Sequence, residues 1–227
     1  MKAIILAAGL GTRLRPITNT IPKCLVSIKE KPLIEHQLEK LIDAGINEFL
    51  INSHHLHNVL NNFVENSIYK KNIKLVFEDK LLDTAGTLIK NLDFFENEDG
   101  LLMHGDNFFE CDLKPFLKAH KNRPRECLMT MMLFRTEKPN ECGIVQLNPQ
   151  KIITHFYEKI RNPPSNLANG AMYILSKEML KIVRKDFKIE RDFSREILPK
   201  FMGKIYGFET NETYIDIGTL DAYSKIR

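Results

Sequence analysis

The chain has 227 residues, 43% hydrophobic and 27% charged, with a net charge of +4 from 33 basic and 29 acidic side chains. Such a chain can bury a substantial core, and its composition excludes disordered, collagen-like and disulfide-scaffold classes. Scattered rather than clustered basic residues argue against a nucleic-acid partner, and the lack of an apolar run near ~18 residues argues against a membrane span.

In chain order, Lys2–Leu6 is a short β-branched apolar run that ends in Ala7-Ala8-Gly9-Leu10-Gly11, so it predicts a buried strand entering a glycine loop. The stretch Ala3–Leu10 is too short for a secretory signal, and the expected location is the cytoplasm. Leu33, Ile34, Leu38, Leu41 and Ile42 recur at helical spacing and Gly45 follows, which predicts a helix over Leu33–Ala44. A strand over Glu48–Asn52, a helix over His57–Val64, a strand over Ile73–Phe77, a short helix over Thr87–Leu92 and a strand over Leu101–His104 follow. Strands alternating with helices over residues 1–125 predict an α/β fold, Rossmann-like and doubly wound, with a mostly parallel mixed sheet. Such sheets bind ligands beyond the carboxyl ends of their strands, which is where Gly9–Arg13 and Gly105-Asp106 fall.

The second half changes character. Cys127–Phe134, Gly143–Leu147, Ile152–Phe156 and Ala171–Leu175 read as strands. Helices are expected near Lys177–Lys185 and Phe193–Phe201, then a strand, turn and helix over Tyr214–Arg227. Met129, Met131 and Met132 read as core. Cys24, Cys111, Cys127 and Cys142 are isolated, so free thiols are expected rather than a disulfide framework or a metal site. His54, His55 and His57 lack a complementary ligand set, and Asp192 reads as a helix N-cap.

The glycine loop carries the first chemistry. Backbone N–H groups exposed by Gly9 and Gly11 can approach phosphate oxygens, and Arg13 adds charge. Leu14 stands where a dinucleotide fingerprint needs a third glycine, which disfavours an oxidoreductase. Lys23 follows Pro22 and is expected on an exposed loop. Asp106 and Asp216 each end an apolar strand-like segment, a placement open to turn and cap residues as well as to carboxylate ligands.

Taken in order, these pieces form a recognisable series. Ala7-Ala8-Gly9-x-Gly11-Thr12-Arg13-Leu14-x-Pro16, Pro22-Lys23-x-Leu25 and Lys31-Pro32-Leu33-Ile34 resemble the opening of the sugar-1-phosphate nucleotidyltransferases. The likeness continues through Leu82-Asp83-Thr84-Ala85-Gly86, Gly105-Asp106, Cys142-Gly143-Ile144-Val145, Glu158-Lys159, Asn169-Gly170 and Tyr214-Ile215-Asp216-Ile217-Gly218-Thr219. Asp83 departs from a family glycine, Cys24 and Ile160 from prolines, and Tyr214 from tryptophan.

The resemblance implies one catalytic domain over residues 1–227, with a nucleotide-binding half (1–125) and a sugar-phosphate-binding half (126–227). It implies transfer of a nucleotidyl group from a nucleoside triphosphate to a sugar 1-phosphate, releasing pyrophosphate. The short form looks most like mannose- or heptose-1-phosphate guanylyltransferases; uridylyl-, thymidylyl- and cytidylyltransferases and a non-catalytic sensor are the alternatives. By the same resemblance Arg13 and Lys23 are catalytic, and Leu6, Ala7, Ala8, Gly9, Gly11, Thr12, Thr84, Ala85 and Gly86 hold the nucleotide. Gly143, Glu158, Lys159 and Asn169 would hold the sugar phosphate, and Asp106 and Asp216 would bind Mg²⁺. The expected partners are these two small molecules, with no nucleic acid and no membrane; the family often forms dimers or tetramers, so a homo-oligomer stays open.

Overall fold

The structure is a computed structural model and describes residues 1–226. Strand β1 (Lys2–Leu6) leads through the glycine loop to a two-residue hairpin, β2 (Ser27–Ile28) and β3 (Lys31–Pro32), and then helix α1 (Leu33–Asp43). Then come β4 (Phe49–Ser53), α2 (His57–Asn66), β5 (Ile73–Phe77), α3 (Asp83–Lys90) and β6 (Gly100–His104). Strand β1 pairs in parallel with β4 and β6, and β4 in parallel with β5, so each connection crosses over the sheet through a helix.

Alternation along these strands explains the layers. Ile4, Leu50 and Leu102 point to one face, where they meet Leu88 of α3. Ala3, Ile5, Phe49, Ile51, Leu101 and Met103 point to the other, against Leu38 and Leu41 of α1 and Leu60 of α2. A strand covered on both faces must be apolar on both, which is why these runs do not alternate in polarity.

The second half extends the same sheet. After β7 (Asn107–Phe109) and α4 (Lys114–Lys121) come β8 (Met129–Arg135), β9 (Gly143–Leu147), β10 (Ile153–Glu158) and β11 (Leu167–Leu175). Helix α5 (Lys177–Asp186), β12 (Ile205–Glu209), β13 (Tyr214–Asp216) and α6 (Leu220–Ser224) complete the chain. The described residues form a nine-stranded sheet with the path β10-β9-β11-β6-β1-β4-β5, while β8 pairs with β11 and β12. Strand β11 runs antiparallel to β6, so the sheet is mixed. Met129, Met131 and Met132 are fully buried.

Several predicted elements move. The short helix over Thr87–Leu92 begins earlier, at Asp83, because Arg191 O accepts from the otherwise orphaned Ala85 N–H. Residues 193–201 are not one helix: a π turn over Phe193–Ile197 gives way to a 3₁₀ turn over Leu198–Phe201, where Pro199 removes an N–H donor. The strand expected at Ala171 starts at Leu167, with a register shift between Asn169 and Tyr173 where Ala171 takes a left-handed φ of 50°. Helix α4 and strands β7 and β12 have no counterpart in the sequence reading. Arg227, the last residue of the predicted terminal helix, lies outside the described residues.

Candidate functional site

The carboxyl ends of β1, β4, β5 and β6 open into a cavity of about 390 Å³. Its wall includes Leu6, Ala7, Ala8, Gly9, Lys23, Asn52, Thr84, Gly105 and Asp106. The loop after β1 is fixed at both ends. Ala7 N–H donates to Asn52 Oδ1 at 2.7 Å, and Gly11 O accepts from the Thr18 hydroxyl at 2.7 Å. Gly11 has φ +62°, and a Cβ there would sit 2.9 Å from Thr18 Cγ2, so this position takes only glycine without strain.

Behind this wall lies a buried polar network. Asn52 Nδ2 donates to Glu78 Oε1 at 2.9 Å, and the Thr87 hydroxyl donates to the same oxygen at 2.5 Å. Glu78 Oε2 accepts from Leu82 N–H at 3.0 Å. The network therefore pins the β1 loop to the turn that starts α3. Burial at 0–2% exposure of Asn52, Glu78 and Thr87 leaves these side chains no water, so the bonds among them are obligatory.

The charged end of the cavity is built by register. Strand β13 pairs with β7, placing Asp216 opposite Asn107, and Ile217 N–H donates to Asp106 O. Two carboxylates distant in sequence thus meet at one sheet end. Lys23 Nζ lies 2.5 Å from Asp106 Oδ2 and 3.7 Å from Asp216 Oδ1. The lysine expected on an exposed loop sits in a 3₁₀ turn over Lys23–Leu25, with its side chain only 12% exposed, because the carboxylates draw the ammonium inward. Burial opposes ionisation of Asp106, but Lys23, His104 and Arg13 outweigh it and hold the carboxyl at about 2. Burial and the neighbouring Asp106 charge push Asp216 upward against Lys23 and Arg13.

These two carboxylates fit a hard divalent cation. Both offer oxygen and both already face a cation, the Lys23 ammonium. Among the described residues no group of three or more His, Cys, Asp or Glu forms a metal cage. One or two carboxylates completed by substrate phosphates and water is the arrangement Mg²⁺ favours.

The remaining predicted residues are distributed unevenly. Arg13 lines a second cavity of about 440 Å³, with Asp216, Gly218, Cys142 and Tyr214. Gly11, Thr12, Ala85 and Gly86 line neither cavity; they shape the backbone behind the first. Gly143, Glu158, Lys159 and Asn169 also lie outside both walls. Glu158 pairs across the strands with Gly143, where a Cβ would stand 2.8 Å from Glu158 Oε2. Lys159 Nζ is 3.7 Å from Glu158 Oε1, and Asn169 Nδ2 donates to the Tyr173 hydroxyl at 2.7 Å.

Asn52, Glu78 and His104 were missed as site residues. The available signal was polarity at the carboxyl ends of strands that are otherwise apolar. Asp192 caps Arg195 N–H, as the N-cap reading expects, and also lines the first cavity. His54, His55 and His57 are spent on Glu78 O, Thr18 O and the Ser53 hydroxyl. Cys24, Cys111, Cys127 and Cys142 are free thiols.

Comparison with known proteins adds three findings. Residues 2–227 match the family described as nucleotidyl transferase. The chain is 30% identical over 228 residues to a D-glycero-alpha-D-manno-heptose 1-phosphate guanylyltransferase of Campylobacter jejuni, covering 98% of this chain and 97% of that one. It is 32% identical to the mannose-1-phosphate guanylyltransferase catalytic subunit beta of Danio rerio, covering 96% of this chain but 61% of that one. Among solved structures, a Bacillus anthracis protein assigned as a glucose-1-phosphate thymidylyltransferase, crystallised with sucrose, superposes with a TM-score of 0.86. It covers 100% of this chain and 93% of that one at 24% identity, a likeness of fold.

Proposed function

The chain belongs to the nucleotidyl transferase family, and on that premise we propose that it joins a nucleoside triphosphate to a sugar 1-phosphate, releasing pyrophosphate. GTP and a mannose- or heptose-type sugar 1-phosphate are the proposed substrates, by likeness to the guanylyltransferases of similar length. The observation that carries the reading is the convergence of Lys23, Asp106 and Asp216 beside a glycine loop at the sheet's carboxyl edge.

A sugar-phosphate oxygen attacks the α-phosphorus and the pyrophosphate leaves in line. Both reactants are anions, so catalysis consists of positioning and charge neutralisation. Lys23 is held in place by Asp106 before substrate arrives, so it can donate to a phosphate oxygen with little reorganisation. Arg13, which lines a cavity wall with Asp216, supplies a second cation. Asp106 and Asp216 would hold Mg²⁺, which when bound neutralises phosphate charge. Ala8 and Gly9 line the cavity, and backbone N–H groups of such a loop suit phosphate or ribose oxygens. In this proposal residues 1–125 hold the nucleotide, while Gly143, Glu158, Lys159 and Asn169 of residues 126–227 hold the sugar phosphate.

The test is pyrophosphate release across GTP, UTP, dTTP, CTP and ATP against mannose, heptose and glucose 1-phosphates, with and without Mg²⁺. Release with GTP and a manno-configured phosphate, dependent on Mg²⁺ and lost in Asp106→Asn, is the expected result. No release in any combination would return the chain to a sensor role.

A further inference from the structure

Helix α1 buries Leu33, Ile34, Leu38 and Leu41, and among these apolar side chains it buries one amide, Gln37, at 1% exposure. Gln37 Nε2 donates to Asn107 O at 2.7 Å and to His104 O at 3.3 Å. Both N–H groups of the amide are thereby spent on carbonyls that bracket Gly105-Asp106, the turn between β6 and β7. Gln37 Oε1 is left without a hydrogen-bond partner among the described residues. Turning the amide over would face its oxygen to two carbonyl oxygens, so the surroundings fix this orientation. A buried acceptor without a partner costs free energy, and a methionine or leucine would occupy the position without that cost. The amide's contribution is its grip on the turn.

The same turn is tied to three strands. Gly105 N–H donates to Leu6 O at 2.8 Å, where β1 enters the glycine loop, and Ile217 N–H, just past β13, donates to Asp106 O at 3.1 Å. Asn107 Nδ2 donates to Gly170 O of β11 at 2.9 Å, and that oxygen also accepts from the Tyr214 hydroxyl at 2.6 Å. Gln37 adds the tie to a helix. From this held backbone the Asp106 carboxylate reaches out to Lys23 Nζ at 2.5 Å. A carboxylate that must meet a small cation at a set distance needs its own backbone fixed, and here the carbonyls on both sides of it are pinned by one amide.

We propose that Gln37 is a positioning residue for divalent-cation binding, holding the β6–β7 turn so that Asp106 presents its carboxylate in one geometry. Gln37 lines neither cavity, so it acts through the backbone of the turn and touches no reacting atom. Carboxylates that bind metal are oriented by partners behind them, and losing such a partner costs ~10–100-fold in metal affinity or activity. The inference rests on the proposed metal role of Asp106 and names the residue that aims it.

The experiment titrates Mn²⁺ alone into the wild type, Gln37→Met, Gln37→Leu, Asp106→Asn and the double variant Gln37→Met/Asp106→Asn, reading bound metal by electron paramagnetic resonance. Thermal midpoints verify that each variant is folded. The Mn²⁺ dissociation constant should rise ~10–100-fold in Gln37→Met and Gln37→Leu. In Asp106→Asn, Gln37→Met should weaken Mn²⁺ no further, because a residue that works through Asp106 has nothing left to aim. In pyrophosphate release with GTP and mannose 1-phosphate, the Mg²⁺ concentration for half-maximal rate should rise in step while KM for mannose 1-phosphate holds. Thr130→Val, which loses a buried contact to His120 and lines neither cavity, should bind Mn²⁺ as the wild type does. Unchanged Mn²⁺ affinity in both folded Gln37 variants overturns the proposal. So does a loss that persists in full without the Asp106 carboxylate, an equal loss in Thr130→Val, or failure of both Gln37 variants to fold, which would make the residue structural. A wild type that binds no Mn²⁺ overturns the metal role of Asp106 and this proposal with it, and is told apart because it fails before any substitution.

Discussion

Lys23 shows how a residue's role depends on what the fold brings to it. In sequence it is a lysine beside a proline, and a solvated surface position is the ordinary outcome. In the structure its ammonium bridges two carboxylates supplied from positions 106 and 216. Lys23→Ala should lower turnover by ~10²–10³, the scale of removing one preorganised donor, with the thermal midpoint little changed. Steady-state pyrophosphate release checks this, and unaltered turnover would remove Lys23 from the mechanism. Gly11 makes a complementary point about backbone. Gly11→Ala meets both the φ of +62° and the 2.9 Å approach of Thr18, so it should cost about 1–3 kcal/mol in urea unfolding. A variant as stable as the wild type would mean the loop relaxes freely. Asp83 was visible in the sequence as a departure from a family glycine, and its left-handed φ accounts for why glycine also suits that place.

At the level of elements, strands and their contents were the most legible feature. Runs such as Lys2–Leu6 and Gly143–Leu147 carry β-branched apolar residues bounded by turn signals, so period and boundary agree. The start of α3 was not legible because a tertiary contact, Arg191 O to Ala85 N–H, supplies what local sequence lacks. The β7–β13 pairing was equally hidden, since two three-residue strands leave no periodic trace, yet this pairing brings Asp216 to Asp106. The Asn52–Glu78–Thr87 network joins β4, the turn after β5, and α3. Asn52→Ala leaves Ala7 N–H and Glu78 short of partners and should cost about 1–3 kcal/mol of stability. Calorimetry or denaturant titration measures it, and no loss would show that water replaces the amide.

Helix α4 adds a pH-dependent contact. His120 is buried, with Nδ1 2.9 Å from the Thr130 hydroxyl and Nε2 3.4 Å from Asp99 Oδ2. Burial lowers the His120 pKa despite Asp99, while the His120 imidazole and Lys177 N–H lower Asp99 against its own burial. The unfolded chain therefore takes up a proton at His120 near 6.5 before the folded chain does. Stability present above that pH is lost as pH falls through it, and Asp99 adds a further loss below 3.8. The thermal midpoint should drop between pH 7 and pH 5, with a shallower slope in His120→Gln. Equal slopes in both proteins would contradict the assignment.

For the whole molecule, the sheet's carboxyl edge collects residues from positions 6 to 192 into one crevice, and Asp216 of the adjoining cavity comes within 3.7 Å of Lys23, at the edge where doubly wound sheets place ligand sites. The glycine-loop side of that crevice was largely readable, because the loop and Asp106 lie at strand ends. The placement of Gly143, Glu158, Lys159 and Asn169 beyond both cavity walls was not, because it depends on the antiparallel pairing of β9 with β10 and β11 at the mixed end of the sheet. No helix among the described residues is long and apolar enough to cross a membrane. The central claim is that this crevice joins a nucleotide to a sugar phosphate. Phosphorus NMR of a reaction containing GTP, mannose 1-phosphate and Mg²⁺ tests it most directly. The account predicts the paired resonances of a new sugar-linked diphosphate rising in step with pyrophosphate. Pyrophosphate accompanied only by GMP, or no change in either substrate, would contradict it.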